Sequence, residues 1–467
     1  MDTAIVWFRR DLRLQDNPAL DAAVRTHDRV ICIYIFAPDE EKPWQPGAAS
    51  LWWLHHSLKA LDADLRRRGA KLEVFSAPTL PALRRLIKSS KAGAIYWNRL
   101  YEPAIRKRDD KIQADLEQHG ISVNVSNAAL LFEPWVPKTK QGGPFKVFTP
   151  FWRNVREQWQ PRPPLRAPGT IRSARVSGSI SIDQLNLLPT ISWDAAFLRH
   201  WTPGERGAQR RVAAFLSRGL KSYKKGRDRP AENGTSSLSP HLHFGEIGPR
   251  QIAWRLHTNR STDAEFYLRE LGWREFSHHL LHHFPKTPDH NLNVSFDKFP
   301  WASRNAKGIR CWQRGKTGIP IVDAGMRQLW SIGWMHNRMR MLVASLLTKN
   351  LRQHWLEGAR WFWDTLVDAD LANNTQGWQW TAGSGADAAP YFRIFNPVLQ
   401  GKRFDPQGVY VKRWVPELKR VPAKFIHSPW DDPKVSKRLA YPKPMIDLGE
   451  SRAEALAAFK KMRNKSG

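Results

Sequence analysis

On a helix, Asn337, Arg340 and Met341 share one face, so an amide, a guanidinium and a thioether stand together while Arg338 turns aside. Glu270, Trp273 and Arg274 repeat that i, i+3, i+4 spacing with a carboxylate, an indole and a second guanidinium. Sets of this kind suit a planar anionic heterocycle better than a hydrolytic centre. Taken alone, each is more often an amphipathic helix with a buried salt bridge. Trp378 and Trp380 are two residues apart, about 200° on a helix and opposite faces on a strand, so they do not serve one pocket together. One can turn inward among other tryptophans while the other lines a cavity. The chain holds 23 tryptophans, where leucine and valine would fill a core more simply, which points to a use for indole chemistry.

Other signals carry less. Gly315-Lys316-Thr317 resembles the end of a phosphate-binding loop, but the glycine needed five positions earlier is Arg310. Gly383-x-Gly385-x-x-Ala388 spells a dinucleotide fingerprint with Asp405 downstream, yet Pro390 follows at once and no βαβ context surrounds it. His278, His279, His282 and His283 form two i, i+4 pairs without a clear third ligand, and are read as a helix face without metal. Cys32 and Cys311 allow neither a disulfide framework nor a four-cysteine metal site. A reducing, cytoplasmic setting is expected.

The elements that must position these residues follow from periodicity. Ala4 to Phe8, Val30 to Phe36, Lys71 to Phe75, Ala94 to Trp97 and Ser122 to Val125 read as buried parallel strands. Between them, Pro18 marks a first helical turn, and Leu51, Leu54, Leu58, Leu61 and Leu65 repeat at steps of three and four. The spacing predicts an α/β fold over 1–131, a doubly wound, Rossmann-like parallel sheet. Prolines from 134 to 168 then break the pattern, and 132–200 is read as a long connector. Beyond Trp201, helix-type spacing over Leu256 to Leu281, Val322 to Leu347 and Trp355 to Val367 predicts a mostly α-helical domain, 201–467. Lysine and arginine number 74 against 43 aspartate and glutamate, a net charge of +31, so a polyanionic partner is expected. With 41% hydrophobic residues the chain is an ordinary folded protein, not a disordered one. No apolar run is long enough to cross a bilayer, the first fourteen residues lack a signal-peptide pattern, and no repeat suggests a solenoid.

The motifs IVWFRRDLRLQDNPAL, KVFTPFW, GTSSLSPHLHFGEI, WREF, GKTGIPIVDAGMRQL, WMHNRMRM, DLANNTQGWQW and ADAAPYFRIFNP occur in this order along nearly the whole chain. In them the chain resembles the class I cyclobutane pyrimidine dimer DNA photolyases of the cryptochrome/photolyase family. The resemblance implies an α/β antenna domain, a linker and a helical domain holding FAD in a folded conformation. It implies a lyase that repairs UV-damaged DNA under blue light: excited FADH⁻ passes an electron to a flipped-out dimer, the cyclobutane ring opens, and the electron returns. By the same resemblance Tyr223 and Thr235, Ser236, Ser237, Leu238 and Ser239 hold the FAD phosphates. Arg340 and Asp368 form the ion pair beside the isoalloxazine, Arg274, Ala369 and Asp370 are further cofactor contacts, and Asn374 faces flavin N5. Glu270 hydrogen-bonds the dimer, Trp273 and Trp380 wall its cavity, Asn337 and Met341 line it, and Arg227, Arg338 and Gln400 meet DNA at its mouth. Trp378, Trp355 and Trp301 are the implied electron chain from flavin to surface.

Two departures stand out. Some members carry tryptophan three positions before the substrate-binding glutamate, where this chain has Tyr267. NRLYEPAIRKRDD lacks the Asn-Glu pair of folate-binding members, so a second antenna chromophore, folate or deazaflavin, is left open. The alternatives are a cryptochrome photoreceptor, a (6-4) photolyase and a nonenzymatic nucleic-acid binder. Plant-type cryptochromes carry an acid where Asn374 stands, and (6-4) photolyases carry histidines where Asn337 and Met341 stand. No metal, membrane or obligate protein partner is expected, and the chain is read as a monomer.

Overall fold

In the computed structural model, residues 2–174, 176–387, 392–437 and 439–464 are described; Ala388 and Pro390 of the fingerprint-like segment lie outside them. Five strands, β1 (Thr3–Phe8), β2 (Arg29–Phe36), β3 (Leu72–Ser76), β4 (Ala94–Asn98) and β5 (Ser122–Ser126), form a parallel sheet ordered β3-β2-β1-β4-β5. Each strand matches an expected run to within a residue at either end. The central strands β1, β2 and β4 are nearly apolar throughout because both faces are covered, while the edge strand β5, Ser-Val-Asn-Val-Ser, is partly exposed. Ala4, Val6 and Phe8 pack with α1 (Pro18–Thr26) and α2 (Ala48–Arg66), while Ile5 and Trp7 pack with α3 (Thr79–Ser90) and α4 (Pro103–Gln118). Helix α1 begins where expected: Asn17 Oδ1 accepts the Leu20 N–H at 3.1 Å, and Pro18 fills the first position, where no N–H is needed. Strand order reverses between β1 and β4, and the loops after these strands open a crevice there. Arg10 and Glu102 pair across it at 2.7 Å, lining a cavity with Glu41, Trp44 and Trp363.

The segment expected as a connector is folded onto both halves. Phe148, Phe151, Trp152 and Val155 fall at i, i+3, i+4 and i+7 and make one buried face of α5 (Phe148–Gln158). The prolines at 144 and 150 hide this periodicity from a sequence reading, although proline in a first turn costs nothing. Helix α5 packs on α6 (Thr262–His283), whose Gly272 leaves room for the Trp152 ring. Further on, Ile171, Leu185 and Leu187 join the core of the sheet, and Ile180 bridges Val74 on its edge. His279 pins the same region: Nδ1–H donates to the Pro134 carbonyl at 2.7 Å and Nε2 accepts the Phe145 N–H at 3.0 Å. Burial, aided by His283 and His282, outweighs the opposing effect of these bonds and pushes the pKa of the ring down to about 4. His282 accepts from Arg106 at 2.7 Å. A methyl added at position 272 would lie 2.3 Å from Trp152, so Gly272→Ala is expected to destabilise by about 1–3 kcal/mol. Thermal unfolding reads this directly, and an unchanged midpoint would mean that the indole can retreat.

The second half is helical, as the spacing predicts, but two expected helices are interrupted. Val322 to Leu347 divides into α7 (Pro320–Ile332) and α8 (Asn337–Ser345), because Gly333 closes α7 at φ 65° and His336 caps α8. Leu256 to Leu281 breaks where Ser261 caps α6. Helices α9 (Trp355–Thr365), α10 (Leu371–Ala382), α11 (Pro397–Phe404) and α12 (Leu448–Asn464) follow. The loop containing Gly315-Lys316-Thr317 is a structural turn: Asp323 accepts from the Thr317 N–H at 2.8 Å, the Thr317 hydroxyl at 2.7 Å and the Gly318 N–H at 3.0 Å. Among the described residues no helix is long and apolar enough to cross a membrane.

Candidate functional site

Helices α6, α8 and α10 converge with the segment 223–239. From α8, Arg340 places Nη2 at 3.0 and 2.8 Å from the two Asp368 oxygens and donates from Nε to the Met335 carbonyl at 2.8 Å. Asp368 is 8% exposed and Ala369 beside it is fully buried. Asp370 caps α10, accepting from the Asn373 N–H at 2.8 Å, and its other oxygen faces His278 and His243 at 3.5 and 3.8 Å. Burial pushes the Asp370 carboxyl up, but His278, His243 and Arg274 outweigh it and hold the group well below the usual range. Its carboxylate is thereby committed within the protein, which leaves the main chain for any cofactor contact. One turn on, Asn374 Nδ2 donates to the Ala359 carbonyl at 3.0 Å, and that bond leaves Oδ1 free to accept.

The hydroxyl-rich segment expected at the phosphates is assembled. Tyr223 and Tyr267 meet edge to face at 5.1 Å, with Ser236 close enough to the Tyr267 phenol to influence it. Tyr267, the departure from the family pattern, thus belongs to the same cluster. Ser237 sits at φ 49°, a left-handed conformation that is unfavourable for serine and gathers at ligand sites. The Thr235 and Ser237 hydroxyls lie 3.5 Å apart, Leu238 is buried, and Ser239 accepts from Trp334 at 3.2 Å. Trp334 in turn lies under the Arg340 guanidinium, 5.9 Å from ring centre to Cζ, so the segment is joined to the Arg340–Asp368 pair.

Of the residues expected at the mouth of a substrate cavity, Arg227 is ion-paired to Glu270 and its neighbour Asp228 to Arg338 at 2.6 Å, so one turn of chain fixes both α6 and α8. Arg338 does not turn aside as expected. It lies along the helix with Nη1 3.8 Å from Met341 Sδ and over the Phe404 ring at 4.4 Å, because Asp228 and Phe404 draw it there. Asn337 is exposed beside it, and Gln400 is half-buried on α11, the helix that carries Phe404. Trp273 stacks on Phe148 at 3.7 Å with 10° between planes. Arg274 points elsewhere, donating to the Ala129 carbonyl at 2.7 Å.

Trp378 and Trp380 divide as their spacing requires. Trp380 is half-buried, while Trp378 is 2% exposed between Phe362 at 5.0 Å and Trp312 at 6.2 Å, against Gly358 of α9. Trp355 opens α9, fully buried, and donates to Asn291 at 3.0 Å. His354 stacks on Trp355 at 5.7 Å and meets Trp301 at 5.0 Å. His354 thus joins Trp355 to Trp301, while Trp378 meets the same helix one turn further on, at Gly358.

Asp228, His243, His336, Phe148 and Trp334 were not expected in this cluster. His243, His336, Phe148 and Trp334 lie within the quoted motifs, and Asp228 adjoins Arg227, so each stood beside an expected residue without being assigned a part. The residues fit FAD: the Trp378 Nε1 and His336 Nε2 atoms are buried without partners, Asn374 Oδ1 can accept a flavin N–H, and hydroxyls meet a strained turn.

Residues 4–169 match the family described as DNA photolyase, and residues 267–461 match the FAD binding domain of DNA photolyase. The chain is 46% identical to a deoxyribodipyrimidine photo-lyase of Agrobacterium fabrum, over 97% of each chain. It is 38% identical to cryptochrome-1 of Arabidopsis thaliana, covering 98% of this chain and 70% of that one. The crystal structure of a bacterial class III photolyase from Agrobacterium tumefaciens superposes with a TM-score of 0.95 at 45% identity, covering 99% of this chain and 98% of the other.

Proposed function

Because the chain belongs to the DNA photolyase and cryptochrome family, we propose that it repairs cyclobutane pyrimidine dimers in DNA under blue light. The observation that carries this reading is Asn374, whose amide N–H₂ is tied to the Ala359 carbonyl so that a neutral acceptor stands where plant-type cryptochromes carry an acid. A neutral amide there favours a reduced anionic flavin, since it adds no second negative charge. FAD, when bound, supplies under light the electron that splits the dimer and receives it back. Tyr223 and residues 235–239 would hold its phosphates, and Arg340 with Asp368 would flank its ring. Glu270 receives the dimer by hydrogen bonding to a thymine carbonyl, while Trp273 and Trp380 present aromatic walls to the flipped bases. Asn337 and Met341, where (6-4) photolyases carry histidines, support dimer repair over that alternative.

Within the family, the 45% identity to a class III structure favours class III over the class I suggested by the motifs. The cavity at the strand-order reversal, between Arg10, Glu102 and Trp44, suits a second chromophore of folate or deazaflavin type. The protein is read as a monomer acting on UV-damaged DNA.

Repair of a thymine-dimer oligonucleotide in light and in darkness tests the proposal, and repair independent of light would overturn it. Glu270→Gln is expected to lower repair yield with FAD retained, because the shape of the pocket survives while the carbonyl bond weakens. With about six phosphates contacted, log affinity for duplex DNA should fall with log salt at a slope of roughly −5. Titration of a labelled duplex from low to moderate salt measures it, and a flat response would remove the electrostatic account.

A further inference from the structure

Around the corner of α6 from the cavity mouth lies an open groove of about 680 Å³ that the repair site does not use. Its walls are Trp152, Arg153, Arg156, Trp159, His257 and Arg260. The Arg156 guanidinium lies over both indoles, 5.7 Å from Trp152 and 5.2 Å from Trp159, and His257 stacks on Trp254 at 4.0 Å. Two acids also line it. Glu265 is neutralised by Arg156 at 3.1 Å, which leaves Arg153 and Arg260, both exposed, against Glu157. Aromatic faces among guanidiniums are the means by which proteins hold a single strand, with bases on the rings and phosphates on the cations.

Buried rings join the groove to the residue expected to wall the dimer cavity. Trp273, Phe148 and Trp152 form one stack, with centroids 3.7 and 6.2 Å apart and planes within 11°. The far ring is thus about 10 Å from the wall of the cavity, a reach of two nucleotides.

We propose that this groove is a second DNA site, which takes the unpaired strand running on from the flipped dimer by stacking a base on Trp159 and holding its phosphates on Arg153 and Arg260. The site deepens the proposed repair function and rests on it for the identity of the strand. The net charge of +31 makes a polyanion the fitting occupant, and Arg156, held between the indoles in the free protein, is displaced or shared when a base enters.

The test is binding of a labelled, undamaged oligo-dT of eight residues to the full-length flavoprotein, followed by fluorescence anisotropy at several salt concentrations. Trp159→Ala is expected to weaken binding about 5- to 150-fold, in line with the loss of one stacked base, and Trp159→Phe to restore most of it. Arg153→Ala with Arg260→Ala should make the salt slope shallower by about 1.4, two phosphates at roughly 0.7 each. Both arginines are exposed, so this variant tests the site without endangering the fold. Glu157→Gln should bind more tightly, because it removes the one unpaired acid. Unchanged affinity and slope in the tryptophan and arginine variants would overturn the second site even if dimers are repaired. Weakened oligo-dT binding in those variants, with no dimer repair by the parent, would uphold the groove and sink the repair reading instead.

Discussion

Trp378→Phe should abolish light-driven reduction of oxidised flavin while sparing dimer repair. The indole at 378 is buried between Phe362 and Trp312, its Nε1 has no partner, and it packs on the turn of α9 that begins with Trp355. An indole gives up an electron far more readily than a phenyl ring. Phenylalanine fills most of the same space against Gly358, so the pocket keeps its shape and the path to Trp355 loses its first carrier. Repair draws on flavin already reduced and sends its electron the other way, toward Glu270 and Trp273. The measurement is loss of the oxidised-flavin band under blue light with an external donor, beside repair by protein first reduced with dithionite. Normal photoreduction in the variant would mean that electrons enter by another path, and loss of both activities would mean that the flavin pocket is disturbed.

Trp273→Ala should weaken binding of dimer-containing DNA by about 1–3 kcal/mol, roughly 5- to 150-fold, with little change for intact duplex. Trp273 contributes one aromatic face to the cavity while Phe148 supports the other face at 3.7 Å, so the wall is rigid before substrate arrives. Removing it leaves Phe148 as a recessed substitute that cannot reach the flipped bases. On the proposed reading, intact DNA is held at the phosphates by groups such as Arg338, which the change does not touch. Equal affinity of variant and parent for the dimer would refute the assignment of this wall.

Much of this arrangement was legible in the sequence, and the reasons differ by element. Strands buried on both faces must be apolar throughout, so the sheet could be read from runs such as Val30 to Phe36, and the opposed roles of Trp378 and Trp380 followed from helix geometry. Helix α5 was hidden because proline signals a break except in a first turn. The long helix expected over Val322 to Leu347 failed at Gly333, where a left-handed residue outweighs favourable neighbours. Side-chain pairing between distant segments has no local signature. Nothing near Arg338 in sequence announces Asp228 or Phe404, and nothing near Trp355 shows that His354 links it to Trp301. Arg274 has the right spacing from Glu270 yet turns to the Ala129 carbonyl, since a helix fixes the direction of a side chain's base but not the end of a long one.

The divided loyalty of the connector shapes how the chain emerges from the ribosome. Ile171, Leu185 and Leu187 find their sheet already synthesised, so most of that core can form as they appear, with Phe244 and Val367 added later. The apolar face of α5 has no such luck: its partner α6 ends at His283, long after Gln158 has left the tunnel. At roughly 5–20 residues per second, Phe148, Phe151 and Trp152 wait about 10 s without cover. For that interval the nascent chain displays a sticky amphipathic helix beside a largely formed sheet, a target for chaperones that hold such surfaces and a point where slowed or truncated synthesis would favour aggregation.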